Sequence, residues 1–353
     1  MRLTFNPQLV NAAFGDPGLY VDFNFEQRAL LIDLGDLAEL PPRKLLRVTD
    51  VFVSHTHIDH FYGFDRLLRV CLGRHAGLRL FGPPGFVEQV GHKLAAYTWN
   101  LVQNYDTDFI VEAWEVDPRG HLSGGRYRCY GKFVREPLAG REVSDGVLLD
   151  EPGFVVRTAA FEHRTPSLGF AIEEKAHLQV LKDKLERLAL PTGPWLTELK
   201  RLVTTGAAPE TPLTVSWHDR HGPHERVLAV GELQREILST GRGEKICYVT
   251  DVLYTEENAR RIVELVRGAD RLFIESVFLD ADADHAARKY HLTARQAGTI
   301  ARRAGAQVVI PFHFSPRYTG REAQLHAEVE AAHAGRGEGS PMEGVEQKSA
   351  RLT

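Results

Sequence analysis

The chain has 353 residues, 43 Lys+Arg against 47 Asp+Glu for a formal net charge of −4, and 16 histidines against 3 cysteines. Three scattered cysteines (Cys71, Cys129, Cys247) exclude a disulfide scaffold, and 43% apolar with 25% charged residues excludes a disordered chain. No apolar run reaches the ~18 residues of a membrane helix, and the slightly acidic balance argues against a nonspecific nucleic-acid coat. The opening MRLTFNPQLVNAAFGD lacks the charged-then-apolar order of a secretory signal. A soluble, cytoplasmic protein with no membrane partner is expected.

In chain order, LYVDFNF and RALLIDL (28–34) read as two strands joined by a short polar turn. RVTDVFVSH (47–55) is a third strand running directly into a histidine-rich loop. LRLFG (78–82) is strand-like, and FVEQVGHKLAAYTW (86–99) has the apolar spacing of a helix. VEAWEV, RYRCYGKFV and FVVRTAAFEH, spread over 111–163, alternate like strands of a half-exposed sheet. KAHLQVLKDKLERLAL (175–190) predicts a charged helix, PTGP (191–194) interrupts it, and WLTELKRLV (195–203) resumes it. The stretch 204–226 reads as loop and carries His218, His221 and His224. KICYVTDV (245–252), RLFIES (271–276) and QVVIPFHF (307–314) are strands, separated by the helical patterns TEENARRIVELVRGA (255–269) and TARQAGTIARRAG (293–305). That alternation predicts an α/β protein. One domain is expected over 1–333, followed by a disordered Gly- and charge-rich tail over 334–353.

The sharpest local signal is His55-Thr56-His57-Ile58-Asp59-His60, placed where an apolar strand ends. Four potential ligands so close in sequence suit a metal, because imidazole and carboxylate converge when the backbone turns tightly at a strand end. Gly63 lets the chain enter the following helix closely packed. One loop cannot complete two metal shells. His163, Asp251 and His313 each sit at the end of a β-branched run and are the candidates to converge on it. Taken singly, each reads equally as a cap or a core polar group.

These residues, in this order, resemble the metallo-β-lactamase fold, and most closely the ribonuclease Z group, which trims the 3′ end of precursor tRNA. HRTPSLGF (163–170), HLTARQAG (291–298), HFSPRY (313–318) and RLFGPPGF (79–86) are similar to motifs of that group. LPTGPWLTELK (190–200) is similar to its tRNA-gripping Gly-Pro arm. The chain departs from the group's Asp-Cys-Gly-Glu-Gly-Thr-Gln at Asp33-Leu34-Gly35-Asp36-Leu37. It also departs from His-Glu-Ala-Thr-Phe at Ile274-Glu275-Ser276-Val277-Phe278. The resemblance implies a four-layer αββα sandwich with a helical arm inserted over about 175–226, and a homodimer in which one subunit's arm serves the other's site.

The resemblance also implies one zinc on His55, His57 and His163, a second on Asp59, His60 and His313, and Asp251 as the bridge. Manganese or iron also suits this ligand set. Asp59 would accept a proton from the attacking water. His291, oriented by Glu275, would be the acid for the leaving 3′ oxygen, although HLTA also reads as a helix start with Thr293 as N-cap. Asp33 would brace the first metal loop by hydrogen bonds. Arg317 is the best single phosphate contact, and Gly193 and Pro194 are the arm tip, or simply a turn between helices. RLLRVCLGRHAGLR (66–79) and ARKYHLTARQAGTIARRAG (287–305) carry no acid and leave room for RNA on an acidic body. The competing readings are hydrolysis of a small phosphodiester or ester by the same fold, and an inactive zinc-binding protein.

Overall fold

The computed structural model describes residues 5–336 except 25, 176, 220 and 221. Two sheets face each other. Eight strands form the first in simple chain order, from Phe5–Leu9 to Arg135–Glu142. Ala29–Ile32, Val48–Phe52, Gly77–Gly82 and Ile110–Val116 pair in parallel within it. The second holds six strands, in the order Val308–Phe312, Arg271–Glu275, Lys245–Val249, Pro166–Glu174, Phe154–Glu162, Val147–Asp150.

Strand periodicity explains the layering. In ALLI, Leu30 and Ile32 point to the space between the sheets, while Ala29 and Leu31 point the other way, and all four are fully buried. A strand covered on both faces has no polar alternation, which is why RALLIDL reads as a continuous apolar run. Between the sheets Phe52 stacks on Phe81 at 5.1 Å and meets Phe170 of the opposite sheet at 5.6 Å. Burying one such ring contributes roughly 2–3 kcal/mol. The outer face of the first sheet is covered by the helices Phe64–Cys71 and Phe86–Ala95. Glu256–Val266 and Ala294–Ala304 cover the second. The result is the expected four-layer αββα sandwich.

The insertion differs from its sequence reading. His177–Val180 is a strand paired with Leu238–Gly241, so the expected helix over 175–190 shrinks to Lys182–Arg187. Helices Trp195–Thr204 and Val230–Ile237 follow. The stretch read as loop over 204–226 contains the hairpin Pro212–Asp219 with Gly222–Ala229, so the arm is mixed rather than helical. Leu213 and Val215 alternate inward along that hairpin with exposed Thr214 and Ser216, a two-residue period masked by the flanking histidines. These elements share a small core of their own, including Trp195, Leu199, Val215 and Leu233. The insertion leaves the sandwich at Glu174 and returns at Lys245. In the hairpin His224 stacks on Trp217 at 5.1 Å and pairs with Asp219 at 2.9 Å, while His221 lies outside the described residues, as does the tail beyond 336. Among the described residues no helix is long and apolar enough to cross a membrane, and all three cysteines are buried and unpaired.

Candidate metal centre

The centre forms where strands of both sheets end on the same edge. The strand Val48–Phe52 delivers Ser54 and His55, and the loop winds through His57 into the short helix Ile58–Phe61 carrying Asp59 and His60. The fit of this loop is close. A Cβ on Gly63 would lie 2.1 Å from the Gly35 carbonyl oxygen, and one on Gly35 would lie 2.7 Å from that of Asp59. From the second sheet, His163 follows Phe154–Glu162, Asp251 follows Lys245–Val249, and His313 follows Val308–Phe312. Asp33, Asp251 and His313 take positive φ of 58°, 47° and 61°. Non-glycine residues held left-handed store strain and cluster at functional turns.

The sequence-predicted ligands converge in two groups. His55, His57, His163 and Asp251 bring one atom each within 4.8 Å of one another, and so do Asp59, His60 and His313. Asp251 stands between the groups. Its Oδ2 lies 3.5 Å from His55 Nε2 and 3.1 Å from His163 Nε2, while its Oδ1 lies 3.4 Å from His60 Nε2 and 3.1 Å from His313 Nδ1. Asp59 Oδ2 lies 3.6 Å from both His60 Nε2 and His313 Nε2.

Outer partners fix three of the rings. Asp33, fully buried, accepts from Ser54 N at 2.7 Å, Ser54 Oγ at 2.9 Å, His60 Nδ1 at 2.9 Å and the Tyr248 hydroxyl at 3.0 Å. The Tyr290 carbonyl accepts from His163 Nδ1 at 2.7 Å. Glu275 accepts from His291 Nδ1 at 3.0 Å and from the backbone N–H of Asp251 and of Leu292, both at 2.8 Å. One carboxylate therefore pins the Asp251 turn and the His291 segment together. Thr293 caps the helix Ala294–Ala304 in a capping box with Gln296. The two readings of HLTA are compatible, because Thr293 does the capping and leaves His291 to Glu275.

The electrostatics and donor chemistry fit cations. Burial pushes His55 down to about 2, with the neighbouring His60 charge adding to it. Burial also works against the His60 cation, yet the Asp251 and Asp33 carboxylates hold it up at about 10. Burial disfavours the charged forms of Asp59 and Glu275, but histidine partners hold each carboxyl near 2. His60 Nε2 and His313 Nδ1 are buried without a hydrogen-bond partner. Buried polar atoms are rarely left so, and orphaned imidazole nitrogens beside carboxylate oxygens form a mixed N/O donor set suited to a divalent metal.

The remaining expected contacts separate. Arg317 lies on the rim near His313, over the Phe278 ring at 5.6 Å and 3.7 Å from Asp282. Within the basic stretch 66–79, Arg79 is committed elsewhere, to buried Asp50 at 2.5 Å and to Glu151 at 2.8 Å. Gly193 and Pro194 belong to the insertion and precede its helix Trp195–Thr204. Sequence reasoning misses Ser54, Tyr248 and Tyr290. A buried tyrosine inside KICYV is a usable signal, since its hydroxyl demands a partner, whereas Tyr290 acts through its carbonyl and leaves none.

The profile of the beta-lactamase superfamily domain matches residues 215–314. The ribonuclease Z of Deinococcus radiodurans is 32% identical over 317 residues, covering 87% of this chain and 88% of that protein. The ribonuclease Z of Limosilactobacillus fermentum is 31% identical over 289 residues, covering 80% and 74%. Among solved structures, the metallo-beta-lactamase fold protein YhfI from Bacillus subtilis matches with a TM-score of 0.52 at 15% identity, covering 92% of this chain and 91% of that one.

Proposed function

The chain belongs to the ribonuclease Z family, and from that premise we propose that it is a metal-dependent endoribonuclease cleaving precursor tRNA at its 3′ end. The observation that carries the reading is Asp251, whose two oxygens each face one group of histidines. His55, His57 and His163 would hold one divalent cation, Asp59, His60 and His313 the other, and Asp251 both. Zinc is the proposed metal, and manganese or iron suits the same donors. When bound, such a pair supplies Lewis acidity at the phosphate and lowers the pKa of water towards neutrality.

The chain's own residues then divide the work. Asp33 and the Tyr290 carbonyl hold His60 and His163 in the tautomer that leaves Nε2 facing inward. Asp59 is ionised at neutral pH and half-exposed, placed to accept a proton from an attacking water. Glu275 would fix His291 through Nδ1, so that its imidazolium form could donate the Nε2 proton to the leaving 3′ oxygen. The exposed guanidinium of Arg317 on the same rim is the proposed phosphate contact.

The insertion, with Gly193 and Pro194 near its first long helix, is the proposed tRNA-gripping arm. Its root at Lys245 lies at the far end of the strand that carries Asp251, and its root at Glu174 pairs with Phe154, the far end of the strand that carries His163. From Lys245 to Asp251 is roughly 20 Å of extended chain. That placement supports a homodimer in which each arm serves its partner's site. The unpaired cysteines support a cytoplasmic location.

The test is direct. The full chain, loaded with about two zinc ions, is offered precursor tRNA beside bis(p-nitrophenyl) phosphate. Cleavage after the discriminator base is expected. Turnover of the small ester with precursor left intact overturns the reading.

A further inference from the structure

A second surface is left unused by this mechanism. Beside the helix Phe64–Cys71 runs a cleft of about 720 Å³ whose lining includes Arg66, Arg69, Arg74, Tyr97, Trp99 and Tyr105. The helix begins right after Gly63, so its first turn adjoins the loop that bears Asp59 and His60. The cleft's lining begins at Asp65, shortly after the metal loop in the chain.

Its chemistry is specific. The three arginines are exposed, and among the described residues none forms an ion pair; Arg66 and Arg74 hydrogen-bond only to backbone carbonyls. The one acid on the lining, Asp65, is already paired with Lys93 at 2.8 Å. The net field in the cleft is therefore cationic on an acidic body. Tyr97 is 46% and Tyr105 37% exposed, so part of each ring is open to solvent in the cleft. Both are held in place. Tyr97 meets the edge of Trp99 at 5.8 Å, and Trp99 in turn packs on Phe133 at 4.6 Å. Tyr105 lies against Gly73, where an added Cβ would come within 2.6 Å of the ring. Fixed ring faces beside guanidinium groups that no carboxylate neutralises are the recognition chemistry of single-stranded nucleic acid, where bases stack and phosphates pair. A duplex hides its base faces and cannot use such rings.

We propose that this cleft binds the single-stranded RNA lying 3′ of the scissile phosphate, with bases on Tyr97 and Tyr105 and phosphates on Arg66, Arg69 and Arg74. The proposal rests on the tRNA-processing reading above and adds to it a path for the segment that is cut away. It also assigns a role to most of the basic stretch 66–79 other than Arg79.

The test compares the full-length Tyr97→Ala/Tyr105→Ala chain with Tyr97→Phe/Tyr105→Phe and Arg69→Ala. Binding of a fluorescein-labelled single-stranded oligoribonucleotide is read by anisotropy, and thermal melting checks folding. The alanine pair and Arg69→Ala should each weaken binding about tenfold, while the phenylalanine pair keeps it, because stacking needs the ring and not the hydroxyl. KM for a precursor with a long trailer should rise by a similar factor, with turnover of bis(p-nitrophenyl) phosphate and cleavage of a one-nucleotide trailer unchanged. Unaltered oligonucleotide binding in a folded alanine pair overturns the proposal. So does a shift to a smaller particle in sedimentation with binding retained, since the cleft would then seat a second copy of the chain. If the wild-type chain leaves precursor tRNA intact yet the binding pattern holds, the processing reading falls and the cleft stands as a single-stranded RNA site.

Discussion

The metal rim and the insertion are built on opposite principles. At the rim, five non-glycine residues (Asp33, Arg164, Asp251, Tyr290, His313) carry positive φ, and four carboxylates (Asp33, Asp59, Asp251, Glu275) crowd against six histidines in a largely buried space. None of this is stable by itself. It persists because both sheets and their covering helices hold each strand end in place. The insertion has its own apolar core and exposed ion pairs between helical neighbours, such as Arg187–Asp183 at 3.0 Å and Arg201–Glu198 at 2.5 Å. Such exposed pairs are screened by solvent and contribute little to stability. The difference teaches that chemistry and substrate grip can be altered separately, since the rim depends on the whole sandwich while the insertion has its own core and meets the sandwich around its roots, where Arg242 donates to the Gly268 carbonyl and a Cβ on Gly153 would lie 3.2 Å from Thr204.

Four changes probe that separation. The largest effect is expected for Asp59→Ala, which should lower turnover of both precursor tRNA and bis(p-nitrophenyl) phosphate by about 10³-fold or more with the fold intact. Steady-state rates beside a circular dichroism spectrum check it, and near-wild-type turnover removes Asp59 from the chemistry. Next is Asp33→Asn, which breaks the carboxylate that orients His60. Metal affinity should fall about 10–100-fold, read by competition with a chromogenic chelator, and an unchanged affinity would mean that the loop holds itself.

Deleting 191–194 should then act on one side of the comparison only. Precursor cleavage should drop about tenfold, in keeping with lost positioning, while the small phosphodiester is hydrolysed as before. Equal losses on both substrates would tie the insertion to the rim after all. The smallest effect concerns the seam between the regions. Glu173, at the arm's root, bonds Lys245 at 2.8 Å and Arg157 at 3.2 Å. Burial works against its charge, but these two cations hold the carboxyl below its ordinary 4.5. A depressed folded-state pKa gives stability that is present above the unfolded value and lost as pH falls through the folded one. Glu173→Gln should therefore cost less than about 1 kcal/mol at pH 7, and the gap should begin to narrow as pH drops below 4.5 and close below the folded-state value. Thermal melting across that range tests it, and a gap that persists in acid would assign the effect to packing.

Much of the rim is legible in the amino-acid order. HTHIDH is local, so its spacing alone announces convergent ligands. His163, Asp251 and His313 each follow an apolar run, so their strand-end position is readable too. Ser54 and Tyr290 are not readable, because a hydroxyl and a carbonyl become partners only when distant segments meet. The hairpin over 212–229 escapes a sequence reading because exposed polar side chains alternate with few buried ones, and three histidines make the segment look like loop.

By itself the sequence determined the α/β class and the candidate residues at the strand ends, because hydrophobic period and residue spacing act over a few neighbours; the layering was implied only by the family resemblance. Only the tertiary structure decided that Asp251 turns one oxygen to each histidine group, that Glu275 ties the Asp251 turn to His291, that Arg79 is spent on Asp50, and that Tyr97 and Tyr105 share a cleft with arginines that no carboxylate neutralises. Each of these relates atoms far apart in the chain. Their distances are set by how two sheets pack, and no local pattern encodes that.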